Sequence, residues 1–508
     1  MKLPSTALRQ VERHCAQRIL APGHPSPASR LAPSSPPTCL QASRRQAASV
    51  PSNGKLLASR TYATVSAAEL QFGQPVHETH PHILKPGELT PGIDAEEYVM
   101  RRAALVSLLP ESSAVVLPSA TLKYRSGAVF YAFRQESNFF YLTGFAEPEA
   151  LAVITKENDT KEYHNHGFTL LCRPKDPAAE QWSGPWSGLQ AARDVFNADI
   201  GWSIHKMESL LPDLVRGAKY IYTDTTNTTL TSQLRQANPS ASIRPVNQHT
   251  NTLRAIKSPA EIACMRTAGK ATGRSFTKAM RKPWSREAKL SAFLDYEFIK
   301  NGGDGQAYVP VVAGGSRGNM IHYTLNNAAI EPDQMVLVDA GAEYGTYISD
   351  VTRTWPVSGR FTDAQKDLYN AVLKVQRTGV ALCRASANLT LDEIHRITDR
   401  ELKEQLQLLG FDVSGDAMGI LFPHHVGHYV GLDVHDVPGY GRDIKLRPGH
   451  CVTIEPGVYV PNDERWPAHF RGMAIRIEDS VAVDEEGPIV LTTEGVKEVV
   501  DIEALRDL

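Results

Sequence analysis

The chain has little that would tie it to a disulfide scaffold, a membrane span or a nucleotide cofactor. Its 508 residues include six cysteines and no C-x-x-C pair. Cys172, Cys264, Cys383 and Cys451 are scattered through the body and read as buried, inert thiols of a reducing compartment, while Cys15 and Cys39 fall in the tail. No apolar run approaches the roughly 18 residues that a spanning helix needs, so the expectation is a soluble or at most peripherally membrane-attached protein. Neither G-x-G-x-x-G nor a P-loop signature is present, which removes the commonest dinucleotide and phosphate sites.

Acid is scarce in one place. The first 60 residues hold nine Lys or Arg and a single acid, Glu12, so this segment carries +8 and the remainder about −10 of a total of −2. Residues 1–62 are rich in Arg, Ser, Ala and Pro, and their opening stretch sets Leu8, Val11, Cys15 and Ile19 along one helical face with Arg9, Arg13 and Arg18 elsewhere. That pattern reads as a mitochondrial transit peptide. The expected location is the matrix or the matrix face of the inner membrane, and Arg60-Thr61-Tyr62-Ala63 looks like a matrix processing site. A mildly acidic body argues against nucleic acid as a partner.

Length and a 42% hydrophobic content allow two cores. Over residues 70–250, a helix in "AEEYVMRRAALVSLL", with Val99, Ala103 and Val106 on one face, alternates with short strands in "SAVVLP", "GAVFYAF", "ALAVITK", "FTLLCR" and "KYIYTD". This predicts an α/β N-terminal domain. A second domain, 255–508, opens at the capping box Ser258-Pro259-Ala260-Glu261. Further helix starts recur at Thr362-Asp363-Ala364-Gln365 and Thr390-Leu391-Asp392-Glu393, the last helix stopping at Gly410. Strands in "AYVPVVAGG", "MVLVDAG", "YISDVTRTW", "CVTIEPG" and "MAIRIEDSVAV" make it an α+β domain.

Chemistry concentrates in that second half. Asp339 ends an apolar strand and Asp350 follows in the next, with Gly341 and Gly345 available for the turn between them. Glu455 and Glu478 sit at the ends of "CVTIE" and "AIRIE", where an unpaired carboxylate is costly and something positive must face it. An ion pair with Arg476 or Arg471 is the ordinary solution. Four carboxylates converging with His428 are neutralised more simply by two divalent cations, about 3.5 to 4 Å apart in such sites. Oxygen-rich ligands with one imidazole favour manganese, iron or cobalt, with zinc admissible. Nearby lie His322 and, in "PHHVGHYVGLDVHD", His424, His425 and His435; His322 and His435 read as functional, His425 as structural.

The contexts "VLVDAG", "ISDVTRTW", "GHYVGLDVHD", "TIEPGVY" and "IRIEDS", with "SNFFYLTGFAEPEA" upstream, resemble the metallo-aminopeptidases of the pita-bread (creatinase/aminopeptidase) fold, from about residue 70 to the C-terminus. With the transit-like leader, the chain is most similar to the mitochondrial Xaa-Pro aminopeptidases of intermediate-cleaving type. The resemblance implies removal of one residue from the N-termini of peptides or imported mitochondrial proteins, with two metal ions, manganese first among them. Asp339 and Asp350 would hold one ion, His428 and Glu455 the other, and Asp350 and Glu478 would bridge. Glu455 would be the base, His322 and His435 would bind the substrate carbonyl and oxyanion, His424 would line the pocket beyond the scissile bond, and Tyr308 would contact substrate. A homo-oligomer is also implied.

Two positions depart from the family pattern. His425 and Val426 replace Gly and Leu of the usual "PHGLGH", and Phe140 stands where a bacterial Trp covers the proline pocket. The second departure predicts a relaxed proline preference and trimming of Tyr, Leu or Phe. A cut after Thr61 would expose Tyr62, so self-processing in trans is a further expectation. Three alternatives stay open: an Xaa-Pro dipeptidase, metal-free chemistry on this fold, and a non-catalytic peptide-binding module.

Overall fold

The computed structural model describes residues 71–157 and 165–506, so the basic leader and the segment around Tyr62 lie outside the described residues. The N-terminal half is built from α1 (Ala95–Ser107), β1 (Ser113–Pro118), α2 (Ser137–Thr143), β2 (Leu151–Lys156), β3 (His166–Cys172), β4 (Ile200–Ser203), β5 (Tyr220–Thr223) and β6 (Ser242–Pro245). They form one mixed sheet in the order β6-β5-β1-β2-β3-β4, antiparallel at β1–β2 and β2–β3 and parallel elsewhere. Strand β1 is buried on both faces, which is why it reads as an unbroken apolar run.

Two expectations change here. The segment "GAVFYAF" does not join the sheet; Val129–Phe130 pairs only with Tyr124–Ser126, and Tyr124, Val129, Phe130 and Tyr131 are more than half exposed. Both edges of β1 are already taken by β2 and β5, and Gly127 at φ +46° turns the chain back on itself. In α1 Ala103 and Val106 are buried as expected, Val99 is only half-buried, and Tyr98, Arg101, Arg102 and Leu105 are buried as well. The two arginines turn inward because they donate to the carbonyls of Tyr141 and Leu142, which the last turn of α2 leaves without helical partners.

The second half contains α3 (Pro259–Met280), α4 (Glu287–Lys300), β7 (Val311–Gly314), β8 (Met335–Ala340), β9 (Val351–Pro356), α5 (Asp363–Leu382), α6 (Leu391–Leu408), β10 (Cys451–Ile454), β11 (Gly457–Tyr459), β12 (Ala474–Arg476), β13 (Asp479–Val483) and β14 (Pro488–Val490). Reciprocal capping boxes at Ser258/Glu261, Thr362/Gln365 and Thr390/Glu393 start α3, α5 and α6, each cap contributing about 1 kcal/mol. The chain leaves α6 through Gly410 at φ +85°, a conformation that favours glycine.

Strands β7-β8-β9 pair antiparallel, β13 pairs with β10 and β14, and β11 pairs with β12. Backbone bonds stitch these ladders into one surface: Glu478 N donates to Thr352 O at 3.0 Å, Glu455 N to Val426 O at 2.8 Å and Thr453 N to His428 O at 2.8 Å. The run "MAIRIEDSVAV", expected as one strand, is therefore two, interrupted at Ile477–Glu478. Alternation along β8 assigns the faces. Val336 and Val338 enter the core with Phe276, Leu290, Trp355, Leu368 and Leu402 of the surrounding helices and strands. Leu337 turns the other way, to Tyr323 and Tyr459, and Asp339 shares that face.

Candidate metal centre

Close backbone approach brings the acids together. In the β8–β9 register Asp339 faces Thr352, and Asp350 immediately precedes β9. A Cβ on Gly341 would lie 1.7 Å from the Ser349 carbonyl oxygen, so only glycine lets the chain leaving Asp339 pass the chain entering Asp350. On the other side Ile454 faces Asp479 and Gly457 faces Arg476, which leaves Glu455 and Glu478 opposite each other between two ladders. His428 joins from the next segment, where a Cβ on Gly427 would lie 1.9 Å from Thr453 O. Asp350, His428 and Glu478 each offer a ligand atom, all within 4.8 Å of one another.

Hydrogen bonds aim these groups. His428 Nδ1 donates to Tyr429 O at 3.0 Å, leaving Nε2 turned to Asp350 and Glu455, 3.5 Å from each. Thr352 Oγ1 donates to Glu478 Oε2 at 2.6 Å. Arg476 donates to Asp339 Oδ2 at 2.7 Å, to Tyr459 Oη at 2.8 Å and to Thr352 Oγ1 at 3.0 Å. Tyr308 Oη stands 2.7 Å from Asp339 Oδ1 and 2.5 Å from Asp350 Oδ1. Expected to contact substrate, that hydroxyl lies between two carboxylates, and its single proton serves both.

Protonation tests whether cations suit this set. Burial drives Glu478 well above the ordinary carboxylate range, with Asp350, Glu455 and Asp339 adding to it. Glu455 is raised to about 7, again chiefly by burial. Asp339 is raised by burial despite Arg476, whereas in Asp350 His428 outweighs burial and lowers the pKa. His428 itself rises to about 9 against the effect of burial, because Asp350 and Glu455 face it. Four acids thus meet one guanidinium and one imidazole, and the excess is met by retained protons. Divalent cations would displace those protons, and the donor set of carboxylate oxygens and one imidazole nitrogen suits hard or borderline ions.

Two of the remaining histidines reach the cluster, His435 through His428 and His424 beside Glu455, the Nδ1 of His424 lying 3.9 Å from Glu455 Oε2. His435 packs edge-on against His428 with ring centroids 4.3 Å apart; burial and His428 lower its pKa, with His322 a smaller influence. His424 donates from Nδ1 to His425 O at 2.9 Å and accepts from Tyr459 Oη at 2.8 Å, and burial lowers it to about 4, so it is neutral. His425 is tied to Asp392 and Gly427 O and stacks on His395. The four described thiols are buried and free, each pushed up to about 12 by burial, and none lies in the centre.

Three features were not legible beforehand. Arg476 pairs with Asp339 across the sheet, not with Glu478, and Arg471 donates to the Trp466 and Glu464 carbonyls away from the site. Thr352 and Tyr459, which hold Glu478, Arg476 and His424, carried no signal in the sequence. Phe140 is 3% exposed and packs edge-on against Tyr98, so it fills the N-terminal core and covers no pocket in this chain.

Comparison with known proteins follows the same division. Residues 98–222 match the aminopeptidase P N-terminal domain and residues 263–485 match metallopeptidase family M24. Intermediate cleaving peptidase 55 of Saccharomyces cerevisiae is 43% identical over 464 residues, covering 88% of this chain and 90% of its own. The Arabidopsis thaliana protein named intermediate cleaving peptidase 55, mitochondrial, is 35% identical, covering 89% and 91%. The crystal structure of Icp55 from Saccharomyces cerevisiae, lacking its N-terminal 58 residues, superposes with a TM-score of 0.77 at 42% identity, covering 82% of this chain and 99% of that one. By both halves of its sequence and by its pita-bread architecture, this chain belongs to metallopeptidase family M24.

Proposed function

We propose that this M24 metallopeptidase is a mitochondrial aminopeptidase that removes a single residue from the N-termini of peptides and imported proteins, with Asp339, Asp350, His428, Glu455 and Glu478 holding two divalent ions. The observation that carries the reading is the meeting of four carboxylates and one oriented imidazole with too few protein cations to balance them. Asp339 and Asp350 would hold one ion and His428 and Glu455 the other, with Asp350 and Glu478 shared. Manganese is the proposed metal. Bound ions of this kind lower the pKa of water and polarise the scissile carbonyl.

The chain's own groups do the rest. Glu455 takes the proton of the attacking water and delivers it to the departing amine. His435 and His322 donate to the carbonyl oxygen as it gains charge. His424, neutral and fixed by Tyr459, lines the pocket beyond the scissile bond. A free substrate amine is held by a carboxylate of the cluster, and an internal bond has no amine to offer. Matrix or inner-membrane-face location, a homo-oligomeric state and a preference for Tyr, Leu or Phe at the N-terminus belong to the same proposal. Among the described residues, no helix is long and apolar enough to cross a membrane.

Peptides beginning Tyr, Leu, Phe or Xaa-Pro, and the corresponding dipeptides, assayed with manganese and with chelator, test the reading. Release of exactly one residue from the longer peptides is expected, lost on chelation and restored by manganese. Turnover confined to dipeptides would mark a dipeptidase; undiminished turnover after metal removal would refute the assignment of the five ligands.

A further inference from the structure

His322 is exposed, and among the described residues its ring makes no hydrogen bond. Its position is therefore set by the backbone that carries it, the segment between β7 and β8. Ile321 and Tyr323 on either side pack inward with Val311, Leu337, Tyr459 and Ala474, and His322 stays exposed between them.

One side chain gathers this whole segment. Glu287, the first residue of α4, is fully buried, and its two oxygens accept four hydrogen bonds. Oε1 accepts from Gly314 N at 3.0 Å and Arg317 Nε at 2.6 Å; Oε2 accepts from Tyr323 Oη at 2.9 Å and Ala328 N at 2.8 Å. Gly314 and Ala328 are the two ends of the loop, and Tyr323 is the neighbour of His322. Arg317 also donates to Ala329 O at 2.6 Å, and Glu287 N donates to Ala328 O at 3.1 Å. The carboxylate stands at a helix N-terminus, where negative charge is favoured. Burial alone would raise its pKa, yet the donors around it hold it below the ordinary value. No other chemistry claims it.

We propose that Glu287 is a positioning residue for the aminopeptidase reaction: a single buried carboxylate ties both ends and the middle of loop 314–328 and thereby fixes His322 over the reacting carbonyl. This rests on the reading of His322 as a donor to substrate. Glutamine at position 287 presents an amide nitrogen to two of the four donors, so the loop must shift, and a displacement of the order of 1 Å at a catalytic group costs up to about a hundredfold in rate.

The test compares wild type, Glu287→Gln, Tyr323→Phe, His322→Ala and the two double variants carrying His322→Ala, all on one N-terminal Tyr peptide with manganese. Glu287→Gln is expected to lower kcat by about 10- to 100-fold with KM and bound metal near wild type. Tyr323→Phe, which keeps the packed ring and removes one donor, should lower kcat less. In the His322→Ala background neither change should lower kcat further, because no ring remains to be misplaced. Equal losses with and without His322 overturn the proposal, as does an impaired His322→Ala enzyme beside unimpaired Glu287→Gln and Tyr323→Phe. An unimpaired His322→Ala enzyme instead removes the reading of His322, and the positioning role falls with it. Should Glu287→Gln fail to fold, Tyr323→Phe alone decides the matter by the same comparison.

Discussion

Arg476 is 1% exposed, and its nitrogens reach Asp339, Tyr459 and Thr352. Through Tyr459 it steadies His424, and through Thr352 it steadies Glu478, so one guanidinium links three of the groups around the centre. Removing one partner of a buried ion pair leaves the other uncompensated, at about 3 to 5 kcal/mol. Arg476→Met should lower stability by that order in chelator and by less in manganese, because bound cations replace part of the lost positive charge. Thermal unfolding in both conditions checks this; an identical loss with and without metal would show that Arg476 and the ions do not share the same acids. His425 has a different office at the same scale. Its ring spans Asp392 at the start of α6 and Gly427 O, which fastens the histidine loop to a helix.

At the scale of elements, the loop carrying His435 is anchored from both halves. Asp436, 6% exposed, accepts from Arg254 at 2.6 Å and Lys257 at 2.9 Å, while Asp433 accepts from Arg254 and from Ser137 of α2. Arg254 also donates to Asn138 Oδ1 at 2.8 Å. Val437 follows at φ +48°, a strained conformation for a β-branched residue, held by these ties. Burial would raise the pKa of Asp436, but Lys257 and Arg254 outweigh it and hold the carboxyl below its ordinary value. A depressed folded-state pKa contributes stability that is complete above the unfolded value, about 3.9 for aspartate, and is lost as pH falls through the folded value. The stability difference between wild type and Asp436→Asn, measured by urea unfolding, should stay constant from about pH 7 to pH 5 and shrink below about pH 4. A difference that is flat to the end of the acid range would refute the ionised pair.

At the scale of the whole molecule, the chain's own leader offers its centre a test substrate. Self-trimming requires that an inactive copy keep the residue an active one removes. Glu455→Gln should lower kcat by about 10²- to 10⁴-fold. Expressed in mitochondria without any wild-type copy, it should keep Tyr62 as its first residue, read by N-terminal sequencing. Ala63 at that position would assign the trimming to another enzyme or remove the Thr61 cut.

What the chain determined by itself was chemistry and family. Two-metal hydrolysis demands hard oxygen donors and an imidazole, and each such residue sits in a short context of glycine, β-branched and apolar neighbours that survives in one dimension. Capping boxes and the α/β then α+β succession were legible for the same reason: they are written within a few residues. Tertiary structure alone decided which groups meet. Arg476 lies 137 residues from Asp339, and Thr352 lies 126 from Glu478. The "GAVFYAF" segment has strand composition but found both edges of β1 filled, and Phe140 has an active-site neighbourhood in sequence but a core neighbourhood in space. Local periodicity reports which face a side chain takes on its own element; which element lies opposite is set by register and packing across the whole sheet, and no short stretch of sequence encodes that.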